Sequence, residues 1–242
     1  MEAQDKVRRQ VKATDGEIAT FVNELFNFLS RNLGKIASAL NGEDLSVLEK
    51  AQAVGRIEAS LQAVGLGDRI SKISDVFGTE LRAIRDDLAQ FTKGKELFTE
   101  ADSDIFASII NFESEGVFKN VELYVGDMRR VLISQALLGE EFDFSTFEDD
   151  FGNSLLNRLT TELTTATSGF NRSVTLFKCE ELGIDNFLYV GPDDRVTRPF
   201  CQERVGKTYT RTEINAWDNG QGLPASIYLG GYNCRHRLVA VR

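Results

Sequence analysis

Helical periodicity without proline dominates the first three quarters of the chain. From about residue 15 to residue 182, the apolar side chains recur at intervals of three or four. This spacing places them on one face of an α-helix with 3.6 residues per turn. All three prolines (Pro192, Pro199, Pro224) lie beyond this region, so none of them removes a helical hydrogen bond within it. The pattern therefore predicts a mainly α-helical body.

Glycine-containing breaks divide this region into successive helices. Three amphipathic stripes end at such breaks, and they cover residues 21–40, 45–64 and 70–91. Two shorter helices are predicted over residues 101–114 and 117–138. Amphipathic helices with short connections bury their apolar faces most economically against antiparallel neighbours. The sequence therefore predicts an antiparallel helical bundle over residues 1–144.

A long helix is predicted to follow the bundle. Apolar residues continue at helical spacing from Leu155 to Phe177, and Gly183 suits a left-handed cap at the end. The stretch is rich in threonine, a β-branched residue with a lower helix propensity. Packing must therefore stabilise this helix, which we place at residues 145–183.

Phenylalanine alternates with acidic residues over positions 139–151, between the bundle and the long helix. One interpretation is a helix start at which the phenylalanines pack inward and Ser145 and Glu148 form a capping box. The other interpretation is an acidic and aromatic segment that docks a partner protein through Phe142, Phe144 and Phe147. The sequence leaves both open.

The pattern changes after Gly183. Short β-type runs at residues 187–190, 207–210 and 237–241 are separated by turns rich in glycine, proline and aspartate. Thr210 and Glu213 have the spacing of a capping box at the start of a short helix. Residues 184–242 therefore read as a small α+β module, and the whole chain as a mainly α protein whose long helix leads into it.

Composition excludes several classes of function. The net charge of −9 argues against broad nonspecific nucleic-acid binding, although lysine and arginine outnumber acids within residues 186–242. A single histidine leaves too few ligands for HExxH metalloproteases or His-Asn-His nucleases, and no glycine-rich loop is followed by the Lys-Ser/Thr of a nucleotide-binding motif. No apolar run is long enough for a membrane span or a signal peptide. We expect no membrane association.

Three residues of the module carry metal-ligand chemistry: Cys201, Cys234 and His236. Thiolates and imidazoles are preferred zinc ligands, so a structural zinc ion is one interpretation, with Asp193, Asp194 or Glu203 as candidate fourth ligands. The other interpretation needs no cofactor, since free cysteines often behave as small buried hydrophobic residues. A nucleophilic cysteine activated by His236 is a third, although no residue that would orient the histidine is visible.

Four arginines of the module are candidates for contact with a partner protein or DNA: Arg195, Arg198, Arg235 and Arg237. The guanidinium group binds phosphate or carboxylate with two parallel hydrogen bonds. The alternative is local ion pairing with the nearby acidic residues of the module.

Three segments of the module occur in a characteristic order: DDRVTRPFC at 193–201, GKTYTRTEI at 206–214 and GGYNCRH at 230–236. Their order and spacing resemble the terminal module of phage Mu F-like minor head proteins, also called head morphogenesis proteins. That family commonly shows a D-x-R-T-R-P-x-[CH] segment, a G-K-x-[YF] strand and a G-x-x-C-R-[CH] end. Val196 departs from the pattern by adding one residue between Arg195 and Thr197.

The resemblance implies a non-enzymatic structural protein of a tailed-phage virion. Such a minor capsid protein is associated with the portal protein and the major capsid protein and is present in more than one copy per head. It assists head assembly, DNA packaging or DNA ejection, it is assembled in the host cytoplasm, and packaged DNA is a further candidate partner. Two alternatives stay open: a small cysteine- or metal-dependent enzyme fused to a helical domain, and a helical adaptor unrelated to phage.

Overall fold

The computed structural model describes residues 2–42, 45–138 and 140–242. Helices account for 72% of the residues, and a small three-stranded sheet lies near the C-terminal end. This confirms the predicted class, mainly α with a helical bundle and a small α+β module. The helices are α1 (Glu2–Gly42), α2 (Val47–Gly55), α3 (Ile57–Ala63), α4 (Leu66–Ser71), α5 (Ile73–Leu88), α6 (Glu100–Leu138), α7 (Phe144–Glu181), α8 (Pro199–Gln202), α9 (Arg211–Asn215) and α10 (Ala225–Tyr228). The strands are β1 (Asn186–Val190), β2 (Thr208–Thr210) and β3 (Arg237–Val241).

Several helix boundaries differ from the prediction. The two helices predicted over 101–114 and 117–138 form one helix, α6, because a glycine at position 116 is tolerated within it. A glycine inside a helix costs about 1 kcal/mol, and the side chains of Val117, Val121 and Tyr124 that follow are all buried. The stripe over 45–64 divides instead into α2 and α3.

The chain folds into two compact units. One unit comprises residues 19–73 and 114–160, and the other comprises residues 1–18, 74–113 and 161–242. The predicted division at residues 144 and 183 follows secondary structure and stays a prediction. Among the described residues, no helix is both long enough and apolar enough to cross a membrane.

The unit of residues 19–73 and 114–160 is a helical bundle that contains the acidic and aromatic segment. Phe142 and Phe147 are buried in it, and the Phe147 ring stacks on Phe151 with centroids 4.8 Å apart. The Asn41 side chain donates to the Phe142 carbonyl and accepts from its amide. Of the three predicted docking residues, Phe144 alone keeps part of its surface exposed. A docking role for this segment stays a prediction.

The predicted capping box of Ser145 and Glu148 is wrong, because α7 begins at Phe144 and Asp143, not Ser145, precedes its first turn. The carboxylate of Asp143 caps the helix instead, accepting from the amides of Ser145 and Thr146. A carboxylate in the position before the first turn satisfies the same free amides that a serine hydroxyl would have satisfied. The box of Thr210 and Glu213, by contrast, is confirmed at the start of α9.

The unit of residues 1–18, 74–113 and 161–242 carries the sheet. All strands are antiparallel, in the order β2-β1-β3, with Phe187 opposite both Tyr209 and Ala240. Apolar residues on one face of the sheet pack against Val7 and Val11 of α1. The three predicted strands are thus confirmed to within one residue, and β1 is the central one.

A buried ion pair joins α6 to α7 in this unit. The Lys178 ammonium lies 2.6 Å from the Asp102 carboxylate, and both side chains are almost fully buried. Burial alone would raise the pKa of Asp102, but hydrogen bonds from Lys178 and Thr99 outweigh it and lower that pKa. The carboxylate of Asp102 is therefore held in its ionised form.

Candidate metal-binding site

Short elements of the C-terminal module position Cys201, Cys234 and His236. Cys201 lies in α8, which follows the extended residue Arg198 and begins with Pro199 at its first position, where a proline loses no hydrogen bond. Cys234 and His236 lie just before β3. Residues two apart on an extended chain point to the same side, so Cys234 and His236 both face Cys201.

The three side chains form a cluster, called here the Cys-Cys-His cluster. The Cys201 Sγ lies 3.8 Å from the Cys234 Sγ, and the Cys234 Sγ lies 3.6 Å from the His236 Nδ1. All three ligand atoms lie within 4.8 Å of one another. Both cysteines are free thiols, and all three residues are at most 5% exposed. The structure therefore brings together the two cysteines and the histidine that the sequence proposed as metal ligands.

Two glycines leave the space that the cluster occupies. A Cβ atom at Gly230 would lie 2.4 Å from the Cys201 Sγ. A Cβ atom at Gly191 would lie 2.6 Å from the His236 Cδ2 and 2.8 Å from its Cα. Such distances are well inside van der Waals contact, so neither position accommodates a side chain without movement of the cluster or its backbone. The Gly230 amide also donates to the Cys234 sulfur at 3.3 Å.

The surroundings of the two thiols separate their acidities. The hydrogen bond from Cys201, the nearby imidazole of His236 and the positive charge of Arg172 lower the pKa of Cys234, although burial opposes this. The interaction with Cys234 and burial both raise the pKa of Cys201. Two adjacent sulfur atoms resist carrying two negative charges in a buried site. Cys234 is therefore the thiol that ionises first.

Arg172 of α7 holds the backbone that carries the cluster. Its side chain is fully buried, and its Nη1 donates to the carbonyls of Cys234 at 2.9 Å and His236 at 2.8 Å. Its Nε donates to the carbonyl of Ile227. A guanidinium presents its donors in a rigid planar fork, so Arg172 fixes the backbone that carries two of the three cluster residues.

A buried polar network stands behind β3. Glu80 of α5 accepts from Arg237 at 2.6 Å, from Thr14 at 2.5 Å and from Asn171 at 2.7 Å. Glu80 is 1% exposed and Arg237 is 4% exposed. Buried charges of this kind are tolerated only when they are paired and hydrogen-bonded. Arg237 thus anchors β3 to the helices and is not accessible to a partner or to DNA.

The other three candidate arginines occupy different settings. Arg195 is exposed, whereas Arg198 donates to the Gly230 carbonyl at 3.0 Å. Arg235 pairs with Asp15 of α1 at 2.9 Å and lies 3.9 Å from Asp194. Because Arg237 is buried and Arg235 is paired with Asp15, a contact role falls mainly on Arg195. That role stays a prediction.

A narrow cleft of about 60 Å³ reaches the cluster. Its lining includes all three cluster residues together with Asp194, Arg198 and Arg235. Asp194, a candidate fourth ligand, is occupied by its own turn, because its Oδ1 accepts from the Val196 amide and the Thr197 hydroxyl. The side chains of Asp193 and Glu203 are exposed and do not belong to the lining.

The geometry allows two kinds of chemistry. A pair of thiols with an imidazole suits a soft divalent metal ion. A Cys234 thiolate beside an imidazole can also act as a nucleophile. Nucleophilic catalysis requires a third group that orients the imidazole, and within the described part of the chain the buried Nε2 of His236 has no hydrogen-bond partner.

Comparisons with protein-family models, with curated proteins and with solved structures found no match to this chain.

Sequence reasoning missed the residues that hold the cluster in place. Arg172 gave no signal, because it lies off the apolar stripe of α7, which continues without a gap from Phe170 to Val174. Glu80 did give a signal, since it is a charged residue on the apolar stripe of α5. The two adjacent glycines have different roles: Gly231 adopts a positive φ of 92°, whereas Gly230 is required for its lack of a side chain.

Proposed function

We propose that this protein is a structural minor head protein of a tailed phage, bound near the portal. The proposal rests on the resemblance of three C-terminal segments to the Mu F-like module. A resemblance carried by separated segments has physical meaning only if those segments meet in one folded unit. Their meeting is the observation that supports the proposal.

The first and third segments are in direct contact. Cys201 of the first lies 3.8 Å from Cys234 of the third, and Arg198 donates to the carbonyl of Gly230. Both segments flank the same cleft. The arginine, the proline-led turn and the closing cysteine therefore act as parts of one interlocking structure.

The second segment joins them through the sheet. It forms β2 and α9, and β2 pairs with the central strand β1, which also pairs with β3. Tyr209 of this segment packs its ring edge-on against Trp217, with centroids 4.8 Å apart. The Trp217 ring also contacts Tyr189 and Phe200. An aromatic core thus connects all three segments, as expected for a module whose role is structural.

The burial of the cluster favours a structural role over turnover. Cys201, Cys234 and His236 are at most 5% exposed, and the cleft beside them is too small for a drug-sized ligand, which commonly needs about 300 Å³ or more. Arg172 holds the backbone of Ile227, Cys234 and His236, and the buried Glu80–Arg237 pair anchors β3 to α5. The module is thus built as a rigid body that can be presented to a partner.

The direct test is binding of the full chain to the portal protein and the major capsid protein encoded in the same genome. When the proteins are co-expressed, we expect affinity capture of this chain to recover the portal protein with it. Arg195→Glu is expected to weaken that capture, because this arginine is exposed in the module. Arg130→Glu, at an exposed site on α6, is the matched control and is expected to have no effect. Failure of the folded chain to bind either head protein would count against the proposal.

One observation favours a second candidate, a cysteine-dependent enzyme: Cys234 lies 3.6 Å from the His236 imidazole and its pKa is lowered. Cys234→Ala separates the two functions. A structural role predicts loss of stability or of assembly, whereas an enzymatic role predicts an intact fold without turnover. Alkylation by iodoacetamide gives a second readout, because an active-site thiolate reacts quickly and a buried structural thiol reacts slowly.

A further inference from the structure

We propose that Cys201, Cys234 and His236 bind a zinc ion, with the fourth coordination position open to the cleft. This inference is independent of the virion role, because it uses only the geometry of the Cys-Cys-His cluster. It also chooses between the interpretations that the sequence left open.

Two of the three separations within the cluster match those around a tetrahedral zinc ion. With Zn–S bonds of about 2.3 Å and Zn–N bonds of about 2.05 Å, tetrahedral angles place two sulfur ligands roughly 3.8 Å apart and a sulfur and a nitrogen roughly 3.6 Å apart. The observed separations are 3.8 Å between the two sulfur atoms and 3.6 Å between Cys234 Sγ and His236 Nδ1. Both of these pairs are thus already spaced for the ion, and the remaining pair, Cys201 Sγ and the His236 nitrogen, lies within 4.8 Å.

The same distances are unsuited to a disulfide. A disulfide needs sulfur atoms about 2.05 Å apart, and the two thiols are free and almost twice that distance from each other. Gly230 also places its amide 3.3 Å from the Cys234 sulfur. An amide that donates to a sulfur stabilises a thiolate, the form in which cysteine binds zinc.

The histidine has a free ring nitrogen in a buried site. His236 is 5% exposed, and its Nε2 has no hydrogen-bond partner among the described residues. If Nε2 carries the ring hydrogen, Nδ1 presents its lone pair toward Cys234, and that is the tautomer that binds a metal. Arg172 donates to the carbonyls of both Cys234 and His236, so the backbone of two ligands is held in place without the ion.

The fourth ligand is assigned to water. The cleft of about 60 Å³ is large enough for a water molecule and is lined by all three protein ligands. Asp194 is the nearest acidic alternative, but its carboxylate already accepts from Val196 and Thr197 and lies 3.9 Å from Arg235. Two thiolates would balance the charge of the ion, so the buried site would be neutral overall.

The test measures metal content and cobalt spectra of the full-length protein. Protein expressed with added zinc is expected to contain about one zinc ion per chain, measured by elemental mass spectrometry. After chelation, titration with Co²⁺ is expected to produce the visible bands of tetrahedral cobalt and the near-ultraviolet charge-transfer band of cobalt–thiolate bonds. Cys201→Ala, Cys234→Ala and His236→Asn are expected to lose the stoichiometric metal.

Cys179 provides the matched control. It is a buried thiol in α7 outside the cluster, and burial raises its pKa to about 12. Cys179→Ala is expected to keep one zinc ion and the full cobalt spectrum, and Asp194→Asn is expected to keep both because water is the fourth ligand.

Three results would overturn the proposal: wild-type protein that binds neither zinc nor cobalt, cluster variants that retain stoichiometric metal, or a disulfide between Cys201 and Cys234 in protein isolated under reducing conditions. If the cluster variants do not fold, the wild-type cobalt spectrum decides alone, since thiolate charge transfer is either present or absent.

Discussion

Arg172→Met is the substitution that most directly probes how the module is attached to α7. The variant keeps much of the side-chain length but removes the donors to the carbonyls of Ile227, Cys234 and His236. Methionine fits irregular apolar space well. Its effect therefore reports mainly on the lost hydrogen bonds rather than on lost volume.

The expected loss follows from these three acceptors. A buried polar group left without a partner costs about 1–3 kcal/mol. Part of this total is offset, because the variant no longer has to desolvate a guanidinium group. We therefore expect the free energy of unfolding to fall by about 3–5 kcal/mol, because three buried carbonyls lose their donor. For a chain of this size, that corresponds to a decrease of about 6–20 °C in melting temperature.

The assay combines urea denaturation with hydrogen exchange. Peptides that cover residues 225–242 are expected to lose protection first, because they contain the carbonyls that Arg172 holds. Arg172→Lys, which keeps the charge but not the planar fork, is expected to lie between wild type and Arg172→Met. Arg130→Met serves as the control, since that side chain is 78% exposed and exposed substitutions usually change stability by less than about 0.5 kcal/mol.

A decrease of less than about 0.5 kcal/mol for Arg172→Met, equal to that of the control, would refute this reasoning. It would mean that the three carbonyls find other donors at no cost. Uniform loss of protection across the chain, without early exposure of residues 225–242, would refute the claim that Arg172 acts by holding these residues.

Three further experiments test other buried contacts. Glu80→Leu and Arg237→Met are each expected to lower the free energy of unfolding by about 3–5 kcal/mol, because each leaves a buried charge unpaired. The double variant is expected to recover much of this loss, since it leaves no unpaired charge. Additive losses in a double-mutant cycle would argue against the pair. Gly230→Ala is expected to lower the free energy of unfolding by about 1–3 kcal/mol, because its side chain clashes with the cluster. Gly126→Ala, whose side chain enters open space within α6, is expected to raise it by about 0.5–1 kcal/mol. Equal shifts in the melting temperatures of the two variants would contradict this. Because the pKa of Asp102 is lowered in the fold, its carboxylate stabilises the protein at pH values above the ordinary aspartate pKa of 3.8. This contribution disappears as the pH falls through the folded-state pKa. The stability advantage of wild type over Asp102→Asn should therefore shrink from about pH 7 to about pH 3, and a constant difference would show that the carboxylate is not its source.

The elements with strong local signals were predictable from the sequence. The strands of the module and the capping box of Thr210 and Glu213 were found because alternation and cap spacing are decided by neighbouring residues. Local rules therefore gave the class of the fold and the position of the module.

Two helix boundaries were predicted wrongly, for different reasons. Two helices were expected over 101–114 and 117–138, but the buried residues that follow Gly116 keep α6 continuous. At the start of α7, the Ser145 and Glu148 spacing fitted a capping box, yet Asp143 supplies the cap. Both cases show a local signal that was present and was overruled by a neighbour.

The cluster itself was only partly predictable. The ligand types of Cys201, Cys234 and His236 were visible in the sequence, but their separations depend on how α8 and β3 are brought together. That approach is set by Arg172 and by two glycines whose neighbours lie far away in the chain. Long-range positioning of this kind leaves no periodic signal, so only the structure could reveal it.

The central claim is that this chain is a component of a phage head, and quantitative mass spectrometry of purified particles tests it most directly. Particles induced from a host that carries the gene should contain the chain in more than one copy per head, at a constant ratio to the portal protein, and should retain it after density-gradient purification and nuclease treatment. Intact, DNA-filled particles that lack the chain, from cells in which it is expressed, would contradict the account.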